Sequence, residues 1–479
     1  MQQITSTEFK SELLTEARAS LGLAAPLAFA QLAQSAIPVV SSVMMGLLGT
    51  QNLAAGALGA ITFIALLSAC VGILSAGGGA LAAEAFGAKD IDRVSRITGQ
   101  GLWLAAAMSL PSMFLLWNCD SILPLLGQEE SNVVLTGSYL HALVWGLPAA
   151  LGFLYLKEVA AAINFPQFGT VIIVVSLLLN GPASYVLMFG FLGFPALGLA
   201  GIGWGTTLIY WVSFLASISM IYFHPKSRDY KLFRSVHQFD KEIFIKIIQI
   251  GWPMGIESGM VMGQFTIMAW LMGKLGTATL AGHEIASQTS DIFLTVPIGI
   301  SYAAMTRVGQ MMGEKNHERA IKTVFVNLAF SLLFALFIAL GFEFFSSSLA
   351  ALYLDIDNPD NAVAIIQAIS FLKLAGISII FYSIRFVGLG ALLGLQDTRV
   401  PMLINILIFW GVGMGGGYFM AITLGWGGIG LWYGITLAPA ISGIILIIRF
   451  YLVNLGKIDD SEKATEHSRC VIFPKEEKL

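Results

Sequence analysis

Charged residues are scarce in this sequence: they make up 11% of its 479 residues, whereas ordinary soluble domains contain about 25%. Apolar residues make up 56%, and the mean hydropathy is +0.79. The sequence also lacks a short apolar segment followed by a small-residue cleavage site, so we predict no removable signal peptide. This composition predicts a polytopic membrane protein whose helices lie in a lipid bilayer.

Other absences exclude several kinds of site. The three cysteines have no paired spacing, so we expect neither disulfides nor a structural metal site. There is no G-x-x-x-x-G-K-[ST] segment, which disfavours ATP-driven pumping, and no cofactor is expected. An H-E-x-x-H zinc motif is also missing, because Ser287 stands where a second histidine would follow His283. We therefore expect no enzyme, and a net charge of −3 argues against a nucleic-acid partner.

Apolar runs long enough to cross a bilayer, about 20 residues each, recur along the whole chain. They cover residues 21–48, 53–83, 98–118, 133–153, 168–190, 197–223, 248–273, 280–305, 320–342, 362–392, 400–422 and 428–452. The pattern predicts an all-α integral membrane protein with twelve transmembrane helices.

Lysine and arginine are unevenly distributed among the connections. They are concentrated in the even-numbered ones, including Lys226 and Arg228 in the polar connector 224–247, whereas the odd-numbered ones carry only Lys274. The loop with Asp355, Asp357 and Asp360 is acidic. Because basic loops stay in the cytoplasm, both termini are predicted there. We expect residues 1–20 to form a cytoplasmic surface helix and residues 454–479 a flexible cytoplasmic tail.

The two halves of the chain repeat each other at an offset of 227 residues. Matched residues are Pro26 with Pro253, Gly49 with Gly276, Glu158 with Arg385, and Gly201 with Gly428. Six helices per half give both halves the same orientation, so the repeat predicts a pseudo-two-fold axis along the membrane normal. We expect an N-lobe at 21–223, a C-lobe at 248–453 and a cavity between or inside the lobes.

Acidic side chains in the second half are candidates for a cation site, since intramembrane acids are costly. Glu284, Gln288 and Asp291 follow at i, i+4 and i+7 and share one face of helix 8. Their oxygens, with that of Glu257 in helix 7, suit a hard cation or a proton. Alternatively, Glu257 pairs with a cationic side chain, and Gln288 makes a hydrogen bond between helices.

Neutral polar residues and two cations remain. Gln34, Ser41 and Asn180 lie in the first half, either for packing or as hydrogen-bond partners of a substrate. His283 is either a residue of the helix boundary or a ligand. Arg385 and Lys373, in helix 10, either reach the interface or form gating ion pairs, because a buried arginine normally has a carboxylate partner.

Several segments resemble the multidrug and toxic compound extrusion (MATE) family, in its NorM-like branch. They are the P…AQ…G pattern of helix 1, the LGT and LAAG hinge, GHEIA, RVGQMMGEKN, FGAKDIDR and GLQDTRVPM. The resemblance covers essentially the whole chain. It implies two six-helix lobes in a bacterial inner membrane, working as a monomer. It also implies antiport: export of bulky, often cationic organic compounds by alternating access, coupled to inward movement of Na⁺ or H⁺.

The family's functional residues match this sequence at some positions and differ from it at others. It implies that Asp397, in a G-x-x-D segment, is a coupling-ion ligand, whereas the residues alone also allow a cap of helix 11. The family's helix-7 glutamate matches Val261, one turn after Glu257, so an equivalent site would be displaced. The family's helix-1 aspartate is replaced by Ser41. We therefore expect coupling through a second-half cluster of Glu257, Asp291 and Asp397.

Two alternatives to a broad multidrug exporter remain. The departures at Ser41 and Glu257 hint at a dedicated exporter of one natural product, like the colibactin-precursor exporter of this family. A lipid-linked precursor flippase, the second alternative, would need a cationic cavity. Only Arg385 and Lys373 are intramembrane cations, which counts against it.

Overall fold

The fold consists of long helices joined by short turns. A computed structural model describes residues 6–124, 130–191, 193–224, 230–355 and 358–472, and these ranges contain no strand. Side chains are described between Leu14 and Gly456, except that of Asp360. The long helices are α1 (Ser6–Leu47), α2 (Thr50–Gly87), α3 (Ile91–Trp117), α4 (Glu130–Ala162), α5 (Pro166–Phe189), α6 (Leu199–Phe223), α7 (Lys241–Leu275), α8 (Thr277–Gly313), α9 (His317–Ala351), α10 (Ala362–Gly394), α11 (Arg399–Thr423) and α12 (Gly428–Ile472).

The predicted all-α membrane fold is confirmed. Among the described residues, eleven helices are long and apolar enough to cross a membrane. The remaining long helix, α7, has 35 residues and therefore extends about 50 Å, well beyond the ~30 Å of a hydrocarbon core. Its central Glu257 and Gln264 lower its hydropathy. With α7 included, the number of spanning helices agrees with the twelve apolar runs.

Equivalent turns and helix starts in the two halves are formed by residues of the same kind. Gly49, between α1 and α2, has a φ of 100°, and Gly276, between α7 and α8, has a φ of 130°. Side chains disfavour such angles, so glycine permits both sharp reversals. Asp90 and Asn316 cap α3 and α9 by accepting hydrogen bonds from the amide three residues later, at 2.9 and 3.0 Å. The repeat therefore extends to the residues that begin and end helices.

Three helices extend beyond the apolar runs into segments that were expected to lie outside the two lobes. The expectation of a separate surface helix at 1–20 is wrong, because α1 is continuous from Ser6, and Glu16 is only 1% exposed. α7 begins at Lys241, inside the expected connector 224–247, and α12 continues through the expected tail to Ile472. Hydropathy detects only the part of a helix that faces lipid, so it misses polar extensions. Lys226, Arg228 and Asp357 lie outside the described residues.

The two halves are tightly joined near the turns that follow α2 and α8, a region we call the closed end. Gly87 of α2 packs against the backbone of Gln310, and Gly313 of α8 packs against the backbone of Glu84. A Cβ at either glycine would collide with the opposite helix, so only glycine allows this crossing. Gln310 Nε2 also donates to the Ala162 carbonyl oxygen at 2.8 Å.

An apolar core continues the joint between the halves. It combines first-half residues such as Leu27 and Ala80 with second-half residues such as Met305 and Leu392. A separate core fills the first half around Tyr155. Another separate core fills part of the second half. Each half therefore has an apolar interior of its own, and a further apolar cluster joins the two.

Candidate functional site

The main cavity lies in the second half, where α2 of the first half closes one side. Its volume is about 450 Å³, within the range of small-molecule sites. Methionines and aromatic rings make up about a third of its wall, and three charged side chains of the described residues reach it. The methionines are Met254, Met262, Met268 and Met305; the rings are Phe265, Tyr302, Tyr382, Phe386 and Phe409; and the charged residues are Glu257, Asp291 and Arg385. Methionines adapt to different shapes, and rings stack on cations, so the wall suits bulky organic molecules.

Glu257 and Arg385 form a buried ion pair at this wall. Glu257 lies on α7, one turn after Pro253, and Arg385 lies on α10; each residue is 4% exposed. Arg385 Nη2 donates to Glu257 Oε1, which also accepts from Asn405 Nδ2 at 2.7 Å. A buried charge requires such a partner, and the two ions satisfy this need for each other.

The hydrogen bonding of this group is incomplete. Glu257 Oε2, Asn405 Oδ1 and Arg385 Nε are enclosed and have no hydrogen-bond partner among the described residues. The guanidinium carbon of Arg385 lies 4.8 Å from the centre of the Phe409 ring and 5.2 Å from that of Phe386. The two rings therefore flank the guanidinium, and Nε lacks an acceptor among the described residues.

Asp291 is the second acid of the cavity, and it is unpaired. It lies on α8, is exposed, and has no hydrogen bond or ion pair to a described side chain. Gln288 and Glu284 are also exposed and continue the same face of α8 towards its first residue. Glu284 is close enough for its carboxylate to repel that of Asp291. The predicted polar stripe therefore leads from the beginning of α8 to the cavity.

Asp397 is not part of this cavity, so the expected cluster of three acids does not form. Its Oδ2 accepts from Arg449 Nε of α12 at 2.7 Å. It follows the end of α10, whereas Arg385 lies nine residues before that end, a distance of about 14 Å along the helix. Nor does Asp397 cap α11, whose N-cap is Thr398.

Four of the five proposed substrate residues do not line the cavity either; only Arg385 does. His283 is buried beside Trp432, with ring centres 5.7 Å apart. Asn180 Nδ2 donates to Thr206 Oγ1 at 3.3 Å within the first half. Ser41 is buried, and Gln34 Oε1 is enclosed without a partner among the described residues. These four residues lie away from the cavity because of how the helices pack against one another. The spacing of residues in the sequence does not determine that packing.

Two residues that form buried polar contacts were not identified from the sequence. Asn405, which completes the hydrogen bonding of Glu257, stands alone in the apolar segment NILIFW, and that isolation was the available signal. Glu16 accepts from Arg307 Nε at 2.9 Å and from Arg319 Nε at 3.0 Å, joining α1 to α8 and α9. Its place before the first apolar run gave no indication of burial.

Known proteins match this chain over most of its length. The MatE family profile matches residues 26–186 and 253–419, so the two matches begin 227 residues apart. A probable multidrug resistance protein NorM from Synechococcus sp. is 36% identical, covering 90% of this chain and 92% of that protein. A Synechocystis sp. protein of the same name is 33% identical over 95% of this chain and 98% of its own.

A solved structure shares the fold. The Vibrio cholerae MATE transporter VcmN, in its bent form, superimposes with a TM-score of 0.83 at 18% identity, covering 93% of this chain and 99% of that one. The duplicated six-helix halves, the adaptable cavity and the profile match agree with one another. The chain therefore belongs to the MATE family and is a membrane transporter rather than an enzyme.

Proposed function

We propose that this chain is a secondary active antiporter that exports bulky organic cations by alternating access. The observation that carries this proposal is the carboxylate of Asp291, which lines a methionine-rich and aromatic cavity and has no ion pair to a described side chain. A lone anion in such surroundings binds one cation at a time, because two cations there would repel each other. An organic cation and Na⁺ or H⁺ therefore compete for Asp291, and this competition couples their opposite movements.

The transport cycle follows from the closed end, which we assign to the cytoplasm from the distribution of lysine and arginine. In the state described here the halves meet at this closed end. Na⁺ or H⁺ from outside reaches Asp291 along the stripe of Glu284 and Gln288 and displaces the organic cation. The lobes, 21–223 and 248–453, then rock about the connector and expose Asp291 to the cytoplasm.

Glu257 has a different part in this proposal from that of Asp291. Its charge is balanced by Arg385, so it is poorly placed to attract a second cation. We assign it to holding Arg385 and Asn405 at the cavity wall. Asp397, paired with Arg449 outside the cavity, is assigned to fixing the turn between α10 and α11.

Location and assembly complete the proposal. We place the chain in a bacterial inner membrane with both termini in the cytoplasm. We also propose that it acts as a monomer. Transport of a lipid-linked precursor is less well supported, since the cavity carries two acids and one arginine that is already paired. Export of a single natural product stays open, because the wall chemistry does not separate one cargo from many.

The test is efflux of a fluorescent organic cation from proteoliposomes under separately imposed Na⁺ and pH gradients. We expect one gradient to drive efflux by the wild type, and Asp291→Asn to lower the gradient-driven rate by about tenfold or more, as expected for losing a charged contact. Glu343→Gln is the matched control, because Glu343 pairs with Lys373 outside the cavity lining.

Asp397→Asn separates the cavity acid from the acid that the family resemblance suggested. Loss of coupling in Asp397→Asn with normal coupling in Asp291→Asn would refute the role of Asp291. Failure of both gradients to move any organic cation would refute cation antiport itself.

A further inference from the structure

Three side chains that can bind a metal meet at the end of the first half opposite the closed end. Cys119 and Asp120 begin a short helical turn after α3, and His141 lies on α4. One sulfur, one carboxylate oxygen and one imidazole nitrogen of these residues all lie within 4.8 Å of one another. Because α3 has 27 residues and is about 40 Å long, this α3–α4 cluster lies far from the crossing of α2 and α8.

The distances within the α3–α4 cluster are close to those between ligands of one ion. Cys119 Sγ lies 3.6 Å from Asp120 Oδ1, and Asp120 Oδ2 lies 3.7 Å from His141 Nε2. Zinc binds sulfur at about 2.3 Å and nitrogen or oxygen at about 2.0 Å, so tetrahedral ligands lie about 3.3–3.6 Å apart. Small movements of exposed side chains would therefore bring all three donor atoms onto one ion.

Neighbouring groups hold two of the three ligands in position. A Cβ at Gly137, one turn before His141 on α4, would collide with Asp120 Oδ1, so this glycine lets the carboxylate lie against the helix. The ring of Trp117 lies beside the imidazole, with ring centres 4.5 Å apart. The Trp117 carbonyl oxygen lies 2.8 Å from His141 Nε2, and a metal would take the place of the proton between them. Such contacts orient ligands before a metal binds.

The chemistry of the donors selects a class of ion. Thiolate and imidazole ligands favour Zn²⁺ and similar transition metals, whereas Mg²⁺ and Ca²⁺ take oxygen ligands. Burial raises the pKa of the Cys119 thiol to about 12, so only an ion that binds sulfur strongly removes its proton, which passes to solvent. Asp120 is exposed and His141 is partly exposed, so an ion can enter from solvent and keep water as a fourth ligand.

We propose that Cys119, Asp120 and His141 form a binding site for a divalent transition-metal ion of the Zn²⁺ class, which ties the turn after α3 to α4. The site is separate from the cavity and from the coupling ion, so no step of the proposed antiport depends on it. Paired cysteine spacing does not reveal such a site, because it contains a single cysteine.

Cobalt tests the site, because a bond between Co²⁺ and a thiolate gives a charge-transfer absorption band in the near ultraviolet. The parent is the full-length protein with Cys470→Ser, since the side chain of Cys470 lies outside the described residues. After metals are removed with a chelator, we expect Co²⁺ to produce this band and Zn²⁺ to abolish it. The dissociation constant for Zn²⁺, measured by calorimetry, should be about 1 µM or below.

Four further substitutions in this parent identify the ligands. Cys119→Ser should lose the band, and Asp120→Asn, at an exposed position that tolerates the change, should weaken Zn²⁺ binding by about tenfold or more. Gly137→Ala keeps all three ligands but moves Asp120 away from His141, so it should weaken binding to a similar extent. Cys70→Ser is the matched control, because Cys70 is also buried but bonds to Ser112, outside the cluster. It should keep both the band and the affinity.

Three results would overturn the site. Binding of Zn²⁺ only at millimolar concentration would mean an adventitious ion only. A cobalt band that persists in Cys119→Ser would place the thiolate ligand elsewhere. An unchanged Zn²⁺ affinity in both Asp120→Asn and Gly137→Ala would exclude the carboxylate as a ligand and the geometry on which the site depends. None of these measurements involves efflux, so they leave the test of cation antiport independent.

Discussion

At the scale of single residues, the ion pair of Glu257 and Arg385 determines the character of the cavity. Both side chains are 4% exposed and share a region of aromatic and aliphatic groups. Breaking such a pair from one side leaves an uncompensated buried charge, whereas removing both charges avoids that penalty. Lys373 and Glu343 form a comparison pair in the same lobe, but their side chains are 42% and 54% exposed.

The pair therefore gives a prediction about stability. Arg385→Gln should lower the free energy of unfolding by about 3–5 kcal/mol, and Glu257→Gln/Arg385→Gln should recover most of this loss. Lys373→Gln should change it by about 1 kcal/mol or less, because exposed pairs contribute little. Thermal unfolding in detergent measures all three. A double variant no more stable than Arg385→Gln would mean that the pair does not act as a unit.

At the scale of helices, the crossing of α2 and α8 depends on two glycines. Gly87 and Gly313 bring the backbones into direct contact at the closed end. Gly341, in α9, is also helical, but a Cβ there would meet nothing within 4 Å. Substitutions at the two kinds of glycine therefore distinguish a general effect of losing a helical glycine from a specific effect on the crossing of α2 and α8.

We expect Gly313→Ala to push α2 and α8 apart and to open the cytoplasmic side. A cysteine placed at the position of Ala83, which packs against Gly309 on the buried side of α2, should then react with a polar maleimide several times faster. Gly341→Ala should leave the reaction rate unchanged. Equal labelling rates in Gly313→Ala and its parent would show that the crossing tolerates a methyl group.

More of the helical fold than of the candidate site could be predicted from the sequence. Apolar runs and the 227-residue repeat predicted the spans, because lipid selects for apolar composition along each helix. Asp397 was expected beside Glu257 and Asp291, because the family resemblance identifies the segment that contains Asp397 but not how deep that segment lies in the membrane. Glu257 and Arg385 were each recognised as costly, yet their contact, across 128 residues of chain, depends on how α7 and α10 pack.

At the scale of the whole molecule, the charges that bridge the halves lie at the closed end. Glu16 of α1 accepts hydrogen bonds from Arg307 and Arg319 and from Thr323 Oγ1 at 3.0 Å. Gln396 Nε2 donates to Glu84 Oε2 at 2.5 Å, joining the turn after α10 to α2. Separation of the halves at the closed end would have to break these contacts, so they favour the state described here.

Glu16→Gln should therefore shift the population towards the cytoplasm-open state. Replacing a carboxylate shared by two arginines removes charged hydrogen bonds, each worth about 1.5–3 kcal/mol, so the shift should be about tenfold or more. Distances between spin labels on α3 and α9, measured by double electron–electron resonance, report it. Glu343→Gln is the control, because Glu343 pairs with Lys373 within the second half, at 2.6 Å. An unchanged distance distribution in Glu16→Gln would refute the bridging role.

The repeat places charges of opposite sign at matched positions, Glu158 in the first half and Arg385 in the second. Each has found its counter-ion inside its own half: Lys157 lies 3.4 Å from Glu158, and Glu257 contacts Arg385. The rocking of the lobes proposed above would therefore leave both ion pairs intact. The contacts that such a movement would break are those of Glu16 and Glu84 at the closed end, so the electrostatic cost of opening arises there and not from the two buried pairs.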